Sequence, residues 1–146
     1  FEKSPGSAML TAGRWLRTGD FGMWDERGRL IVLDRRADRI VAGGENVSPA
    51  EVERVLSAHP AVAEVCVVGL PAGAWGHEVA AAVTLRAGAN VTLDALREHA
   101  SRALASFKLP RRLHVAASLP RNAAGKVLRS EVRGWFLGEV AQENRA

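Results

Sequence analysis

Apolar residues change their spacing several times along the chain, and each spacing predicts a different element. Residues 62–69 and 78–85 are rich in β-branched and small apolar side chains and are bounded by Pro and Gly, which predicts two strands. A third segment begins after Thr92, a typical N-cap residue, and its apolar residues recur at helical spacing, which predicts one amphipathic helix. The apolar members of that helix are Leu93, Leu96, Ala100, Ala103, Leu104 and Phe107.

Shorter patterns complete the order of elements. Residues 40–41 and 112–116 predict short strands, and residues 49–58 and 130–139 predict helices at the two ends of this series. The predicted order is strand, helix, strand, strand, helix, strand and helix. This order is an α+β pattern, in which a small mixed sheet is covered by helices.

The residues before this series predict a β-hairpin. Residues 15–24 read as an extended segment, Asp25-Glu26-Arg27-Gly28 as a turn, and residues 30–33 as the returning strand. Residues 1–12 are small, polar and glycine-containing, so we expect a loop from within a longer parent chain.

Composition and charge narrow the class of protein. The chain has 146 residues, 47% of them hydrophobic and 25% charged, which fits one small domain with a flanking piece. The net charge is +4, but basic residues are interleaved with acids and no aromatic-basic platform or zinc spacing occurs, which disfavours a nucleic-acid binder. The single cysteine, Cys66, and apolar runs too short to span a membrane predict a reducing, cytoplasmic location.

Residues 34–53 contain several arginines, a short apolar segment, the pair Gly43-Gly44 and the predicted start of a helix. The pair predicts a turn or a close approach of backbone to a ligand, since glycine has no Cβ. Ser48 and Glu51 stand at capping-box spacing around Pro49. By general rules alone, Asp20 would be a turn residue, and Lys126 a solvated loop lysine.

Three segments together resemble the C-terminal part of an acyl-CoA synthetase of the AMP-forming, adenylate-forming superfamily. They are residues 17–20, 34–53 and 120–126, and the resemblance extends from about Gly13 to Phe136. It implies a carboxylate–CoA ligase that forms an acyl-adenylate from a carboxylic acid and ATP, with Mg²⁺ accompanying ATP, and then acyl-CoA from coenzyme A. The sequence of residues 43–53 is more similar to the corresponding sequences of fatty-acyl and succinylbenzoate CoA ligases than to those of peptide-synthetase modules.

The resemblance also implies roles for individual residues. Lys126 would reach into the active site during adenylation as the catalytic cation, and no residue is implied as a metal ligand. Asp20 would accept hydrogen bonds from the ribose hydroxyls, and Arg35 would lie beside the nucleotide. Ala37 falls on the hinge, where relatives often carry Asp, Lys or Ser. The pantetheine channel would be lined by Gly43, Gly44 and Glu45.

The implied organisation divides the chain into three parts. Residues 1–34 would be the C-terminal edge of a large N-terminal adenylation domain that is otherwise missing, residues 35–37 the hinge, and residues 38–146 a mobile lid that is inactive alone. Two alternatives stay open. The acyl group could be loaded onto an acyl carrier protein, or the chain could be a non-catalytic interaction module, against which Lys126, Asp20 and Arg35 argue.

Overall fold

The structure is a computed structural model that describes residues 18–35 and 38–143. The side chains of residues 21, 33–35 and 139–143 lie outside this description. The chain divides into two compact units, Phe1–Ala37 and Asp38–Ala146.

The first unit contains the predicted hairpin. Strand β1, Asp20–Trp24, pairs antiparallel with strand β2, Leu30–Arg35. The Asp25 carboxylate closes the turn by accepting from the N–H groups of Arg27 at 2.9 Å and Arg29 at 2.8 Å. These contacts stabilise the charged carboxylate, so the backbone and side chain of Arg29 lower the pKa of Asp25.

The second unit begins with a small hairpin and a helix. Strands β3, Ile40–Ala42, and β4, Glu45–Val47, pair antiparallel around Gly43-Gly44. Helix α1, Pro49–Ser57, follows at once. The Ser48 hydroxyl accepts from the Glu51 N–H at 3.4 Å, which confirms the predicted N-cap.

A mixed sheet forms the centre of the second unit. Strand β5, Val62–Pro71, is antiparallel to β6, His77–Leu85, and β6 is parallel to β7, Arg112–Val115. Helix α2, Leu93–Ser101, and helix α3, Arg129–Glu143, complete the unit. The predicted α+β fold with a small mixed sheet and covering helices is therefore confirmed.

Two apolar clusters lie on opposite faces of this sheet. Alternate β6 residues such as Val79 and Val83 pack in one cluster with residues of α1 and α2, including Leu56 and Leu96. The residues between them pack in the other cluster with α3, where Phe136 is buried. Because both faces of β6 are covered, its sequence is a nearly continuous apolar run rather than an alternating one.

The second helix is shorter than its sequence pattern predicts, and one strand was not predicted. Helix α2 ends at Ser101, after which a turn and a 3₁₀ segment, Ser106–Lys108, continue the chain. Leu104 is still buried there, so a tight turn satisfies the helical spacing without a helix. The Lys108 ammonium holds this segment to the Glu51 carboxylate of α1, with both Nζ–Oε distances at 2.7 Å. Strand β4 was missed because Glu45 and Asn46 are polar.

Candidate functional site

Lys126 lies at the end of a tight hairpin loop. Arg121 and Val127 form an antiparallel bridge, and the Asn122 N–H donates to the Lys126 carbonyl at 2.9 Å. Gly125 turns the chain at a φ of 79°, a conformation that L-residues with a Cβ rarely adopt. Its N–H donates to the Asn122 carbonyl at 2.9 Å, so the loop is closed by backbone hydrogen bonds from both sides.

The Asn122 side chain fixes the same loop from inside. Its Oδ1 accepts from the N–H of Ala124 at 3.0 Å and from the N–H of Lys126 at 2.9 Å. The N–H and the carbonyl of Lys126 are thus both held by Asn122. The Lys126 side chain is exposed, and across residues 18–35 and 38–143 no hydrogen bond or ion pair engages its Nζ. A fixed backbone therefore presents an ammonium that is available to an external anion.

Arg129 anchors the chain directly after the loop. Its guanidinium pairs with both carboxylate oxygens of Glu53 on α1, and its Nη1 donates to the Val67 carbonyl at 2.8 Å. Asp38, the first residue of the second unit, lies 3.8 Å from Arg129 Nε. Burial opposes the charged guanidinium, but the hydrogen bond and charge of Glu53 raise the pKa of Arg129 overall.

Cys66 lies beside this arginine but is not suited to nucleophilic chemistry. Its Sγ is 3.7 Å from Arg129 Nη1, and its side chain is buried. Burial raises the pKa of the Cys66 thiol to about 11, so the thiolate is disfavoured.

The Gly43-Gly44 turn has a different construction. The φ angles of Gly43 and Gly44 are 60° and 86°, which fits a type I′ hairpin turn. The Gly43 N–H donates to the Trp75 carbonyl at 2.9 Å, and Ala42 forms an antiparallel bridge with Gly76. A Cβ on Gly76 would lie 2.8 Å from the Val41 carbonyl oxygen, so glycine is required for this close approach.

A cavity of about 540 Å³ opens beside this turn. It combines apolar and aromatic surface with one histidine, one carboxylate and one guanidinium. The Glu78 carboxylate, one of the lining groups, pairs with Arg112 Nε at 2.8 Å. The lining residues are Ala42, Gly43, Ala72, Trp75, His77, Glu78, Val79, Phe107 and Arg111. Aromatic faces and a cation are groups that could hold a nucleotide or another planar anion.

The residues predicted to bind nucleotide lie together on the first unit. Asp20 begins β1 and Arg35 ends β2, and their Cα atoms are partners in the register of the hairpin. The Asp20 N–H donates to Thr18 Oγ1 at 3.2 Å. The Arg35 side chain and the whole of the predicted hinge residue Ala37 lie outside the described residues. Their predicted roles stay predictions, as does the channel role of Gly43, Gly44 and Glu45.

Several residues of these candidate sites were not predicted from the sequence. Asn122 has a local signal, since an Asn in a glycine-containing loop often bonds to nearby backbone N–H groups. Trp75, Phe107 and Arg111 have none, because the cavity brings together separate loops and strands through tertiary packing.

Comparison with known proteins identifies the class to which this fold belongs. Residues 51–126 match the model of the AMP-binding enzyme C-terminal domain, and the chain belongs to this family.

Two relatives and one solved structure illustrate the range of the family. A 2-succinylbenzoate–CoA ligase of Geobacillus kaustophilus is 46% identical over 133 residues, covering 91% of this chain and 27% of the relative. The fatty acid–acyl-carrier-protein ligase ScoC of Streptomyces coeruleorubidus is 46% identical over 129 residues, covering 88% and 25%. The o-succinylbenzoate CoA synthetase of Bacillus subtilis, solved with its acyl-adenylate intermediate, is 43% identical with a TM-score of 0.79, covering 87% and 26%. The chain thus spans about a quarter of the length of these relatives.

Two kinds of feature are absent from the part of the chain that the structure describes. None of the helices in residues 18–35 and 38–143 is both long and apolar enough to cross a membrane. In the same part of the chain, no group of three or more His, Cys, Asp and Glu residues has the arrangement of a metal site.

Proposed function

We propose that this chain is the C-terminal lid of an ATP-dependent carboxylate–CoA ligase, with residues 1–34 at the edge of the large adenylation domain and Ala37 at the hinge. Family membership supports the general class. The single observation that carries the assignment is Lys126, an exposed ammonium on a loop whose backbone is fixed at both the N–H and the carbonyl. The chain acts with the remainder of a longer protein and is inactive alone.

In the first half-reaction, an oxygen of the carboxylic acid attacks the α-phosphorus of ATP. A new bond forms between oxygen and phosphorus, and the bond to pyrophosphate breaks. Two anions approach while charge builds on the phosphoryl oxygens, so a cation fixed near them stabilises the transition state. We assign this role to Lys126. Asp20 binds the ribose hydroxyls, Arg35 contacts the nucleotide, and Mg²⁺ accompanies ATP on the missing domain.

In the second half-reaction, the thiol of coenzyme A attacks the acyl carbon of the adenylate. The carbon–sulfur bond forms, the thiol proton leaves, and AMP departs with the electrons of the bond to the acyl carbon. We assign the pantetheine route to Gly43, Gly44 and Glu45. The cavity beside Gly43 supports this assignment, because aromatic and cationic side chains line the same cavity as this glycine.

The relatives suggest two classes of substrate and two acceptors. Succinylbenzoate and fatty acids are the acids in the printed names of the relatives, and we propose an aromatic or long-chain carboxylic acid here. The preferred acceptor is free coenzyme A. An acyl carrier protein is a second candidate, favoured by 46% identity to a ligase that bears this acceptor in its name.

The test uses the longer protein that contains this chain. Pyrophosphate release is measured with ATP, Mg²⁺ and a panel of aromatic and aliphatic carboxylic acids, and then acyl transfer is measured to coenzyme A and to a phosphopantetheinylated carrier protein. We expect acid-dependent release of pyrophosphate followed by thioester formation with coenzyme A. Transfer to the carrier protein alone would select the second acceptor. Absence of acid-dependent release across the panel would contradict the ligase assignment and support a non-catalytic module.

A further inference from the structure

The Arg121 side chain connects the Lys126 loop to the central sheet. Its Nη1 donates to the Gly125 carbonyl at 2.7 Å, and its Nη2 bonds to the Glu64 carboxylate on β5. The two contacts come from one planar guanidinium, whose donors are fixed relative to one another. The loop is thereby attached to a strand that is distant in sequence.

The carbonyl that accepts from Arg121 belongs to the residue directly before Lys126. Gly125 precedes Lys126, so its carbonyl and the Lys126 N–H belong to the same peptide plane. Asn122 Oδ1 holds this plane by the N–H at 2.9 Å, and Arg121 holds it by the carbonyl at 2.7 Å. Asn122 is itself part of the loop, so its bond keeps the shape of the loop but does not fix the loop to the sheet. Arg121 provides that second connection through Glu64.

We propose that Arg121 is a positioning residue that aims Lys126 during adenylation, with Glu64 as its support on β5. The proposal rests on the catalytic role assigned to Lys126 above. Arg121 does not itself contact substrate in this proposal. It restrains the peptide from which the lysine side chain projects, and a displacement of about 1 Å at a reacting group can slow a reaction by about 100-fold.

The competing explanation is that Arg121 and Glu64 form an ion pair that only stabilises the fold. The exposure of these two side chains distinguishes that explanation from a positioning role. The Arg121 and Glu64 side chains are 42% and 44% exposed, and exposed ion pairs contribute little to stability. The contact should therefore affect catalysis more than it affects folding. Glu98 on α2 and Arg102, which directly follows that helix, form a suitable control pair, since they are more exposed, at 77% and 73%, and do not bond to a loop carbonyl.

The experiment compares four substitutions in the longer protein: Arg121→Gln, Arg121→Lys, Glu64→Gln and Arg102→Gln. For Arg121→Gln we expect the kcat of adenylation to fall by about 10- to 100-fold with little change in KM for acid or ATP, because the lost interaction acts in the transition state. Thioester formation from supplied acyl-adenylate should be unchanged. Arg121→Lys should be intermediate, since one ammonium lacks the fork that serves both partners. Glu64→Gln should have a smaller effect than Arg121→Gln, and Arg102→Gln should have none.

A second measurement does not depend on activity. Amide hydrogen exchange of residues 122–126 should be faster in Arg121→Gln than in wild type, while exchange across β5 and the melting temperature stay the same. Wild-type kcat in Arg121→Gln, or equal loss in both half-reactions, would overturn the positioning role. Full activity in Arg121→Lys would show that charge alone is sufficient and would overturn the two-partner mechanism. Failure of wild type to release pyrophosphate with any acid would instead contradict the proposed function itself.

Discussion

Two loops of the unit Asp38–Ala146 are built in opposite ways. The Lys126 loop places a long charged side chain in solvent and fixes its own backbone through Asn122. The Gly43-Gly44 turn has no side chain and is held by a backbone hydrogen bond to Trp75 and a bridge to Gly76. Both turns use glycine at positive φ, but only in the first does a charged side chain, that of Lys126, follow the glycine.

The difference corresponds to the two chemical steps of the proposed reaction. Charge builds on phosphoryl oxygens during adenylation, so a preorganised cation is valuable there. During thioester formation a long, flexible arm must approach the acyl carbon, and a turn without side chains leaves space for it. In the proposed reaction, the Lys126 loop therefore supplies a charged group, and the Gly43-Gly44 turn leaves space for the pantetheine arm. Substitutions should separate the two loops by the half-reaction that each one affects.

The largest effect is expected at Lys126. Replacing Lys126 by Ala removes the ammonium while leaving the loop backbone intact, since its backbone contacts do not involve the side chain. Adenylation should slow by about 100- to 1,000-fold, the usual effect of losing one preorganised electrostatic donor. Thioester formation from supplied acyl-adenylate should stay near the wild-type rate. Pyrophosphate release and thioester formation are measured separately in the longer protein.

Lys126→Arg is a useful companion because it keeps the positive charge but changes its shape. Only partial recovery is expected, as a planar guanidinium does not replace a compact ammonium. Equal losses in both half-reactions of Lys126→Ala would contradict the comparison between the loops. An unchanged rate of adenylation would mean that Lys126 is an ordinary surface lysine.

The next effect in size is expected at Gly43. Gly43→Leu should slow thioester formation by about tenfold relative to Gly43→Ala, which corresponds to about 1.4 kcal/mol of transition-state free energy. Both variants carry the strain of a φ of 60°, and a Cβ meets no atom within 4 Å, so the comparison isolates side-chain bulk from backbone strain. Adenylation rates of the two variants should be equal. Equal thioester rates would argue against a pantetheine route along this turn.

Much of this architecture could be predicted from local sequence signals. Ser48, Pro49 and Glu51 predict the start of α1 because capping chemistry depends on neighbouring residues alone. The burial of β6 on both faces explains why its apolar run is visible in the sequence. The resemblance to acyl-CoA synthetases is confirmed at the level of the family, through residues 51–126.

Apart from the local hydrogen bonds of Asn122, the contacts that were not predicted depend on distant parts of the chain. Phe107 fits the helical spacing, yet α2 ends at Ser101, because the following turn is stabilised by Lys108 bonding to Glu51 on another helix. Arg121 gives no sign in the sequence that its partner is Glu64 on β5. Such pairings are fixed by tertiary packing, which neither periodicity nor turn chemistry records.

A smaller effect, on stability rather than catalysis, is expected at Gly76. A Cβ there would lie 2.8 Å from the Val41 carbonyl oxygen, whereas a Cβ on Gly73 meets no atom within 4 Å. Both glycines have positive φ, at 78° and 57°, so Gly73→Ala controls for a Cβ at positive φ, while the ψ of −91° at Gly76 adds strain to the close contact there. Gly76→Ala should lower the free energy of local opening by about 1–3 kcal/mol more than Gly73→Ala does, as overpacking does in other proteins.

Amide hydrogen exchange across β3 and β6 measures this difference. Faster exchange in Gly76→Ala should be confined to the glycine turn and its partners, while the Lys126 loop stays protected, because the two loops have separate supports. Parallel loosening of both loops would mean that they form one cooperative element, and the comparison would fail.

The smallest effect is expected at His59, which supports neither loop directly. Its Nδ1 accepts from the Ala61 N–H at 3.2 Å, and its ring lies 5.2 Å from that of His99. Burial and the charge of His99 lower the pKa of His59 from 6.5, so the unfolded chain binds a proton more readily than the folded one. This contribution to stability is complete above the ordinary pKa and is lost as the pH falls through the lowered one.

His59→Asn keeps a side-chain acceptor near the Ala61 N–H but does not titrate. Between about pH 7 and about pH 5, the range in which an ordinary histidine gains its charge, the melting temperature of wild type should therefore fall more steeply than that of His59→Asn. Parallel melting curves would exclude His59 as a source of the pH dependence. Both half-reactions should respond equally to this substitution, because weakening the end of α1 loosens the common scaffold and favours neither loop. A selective loss of one half-reaction would instead show that α1 supports one loop more than the other, and the equal dependence of both loops on this helix would no longer hold.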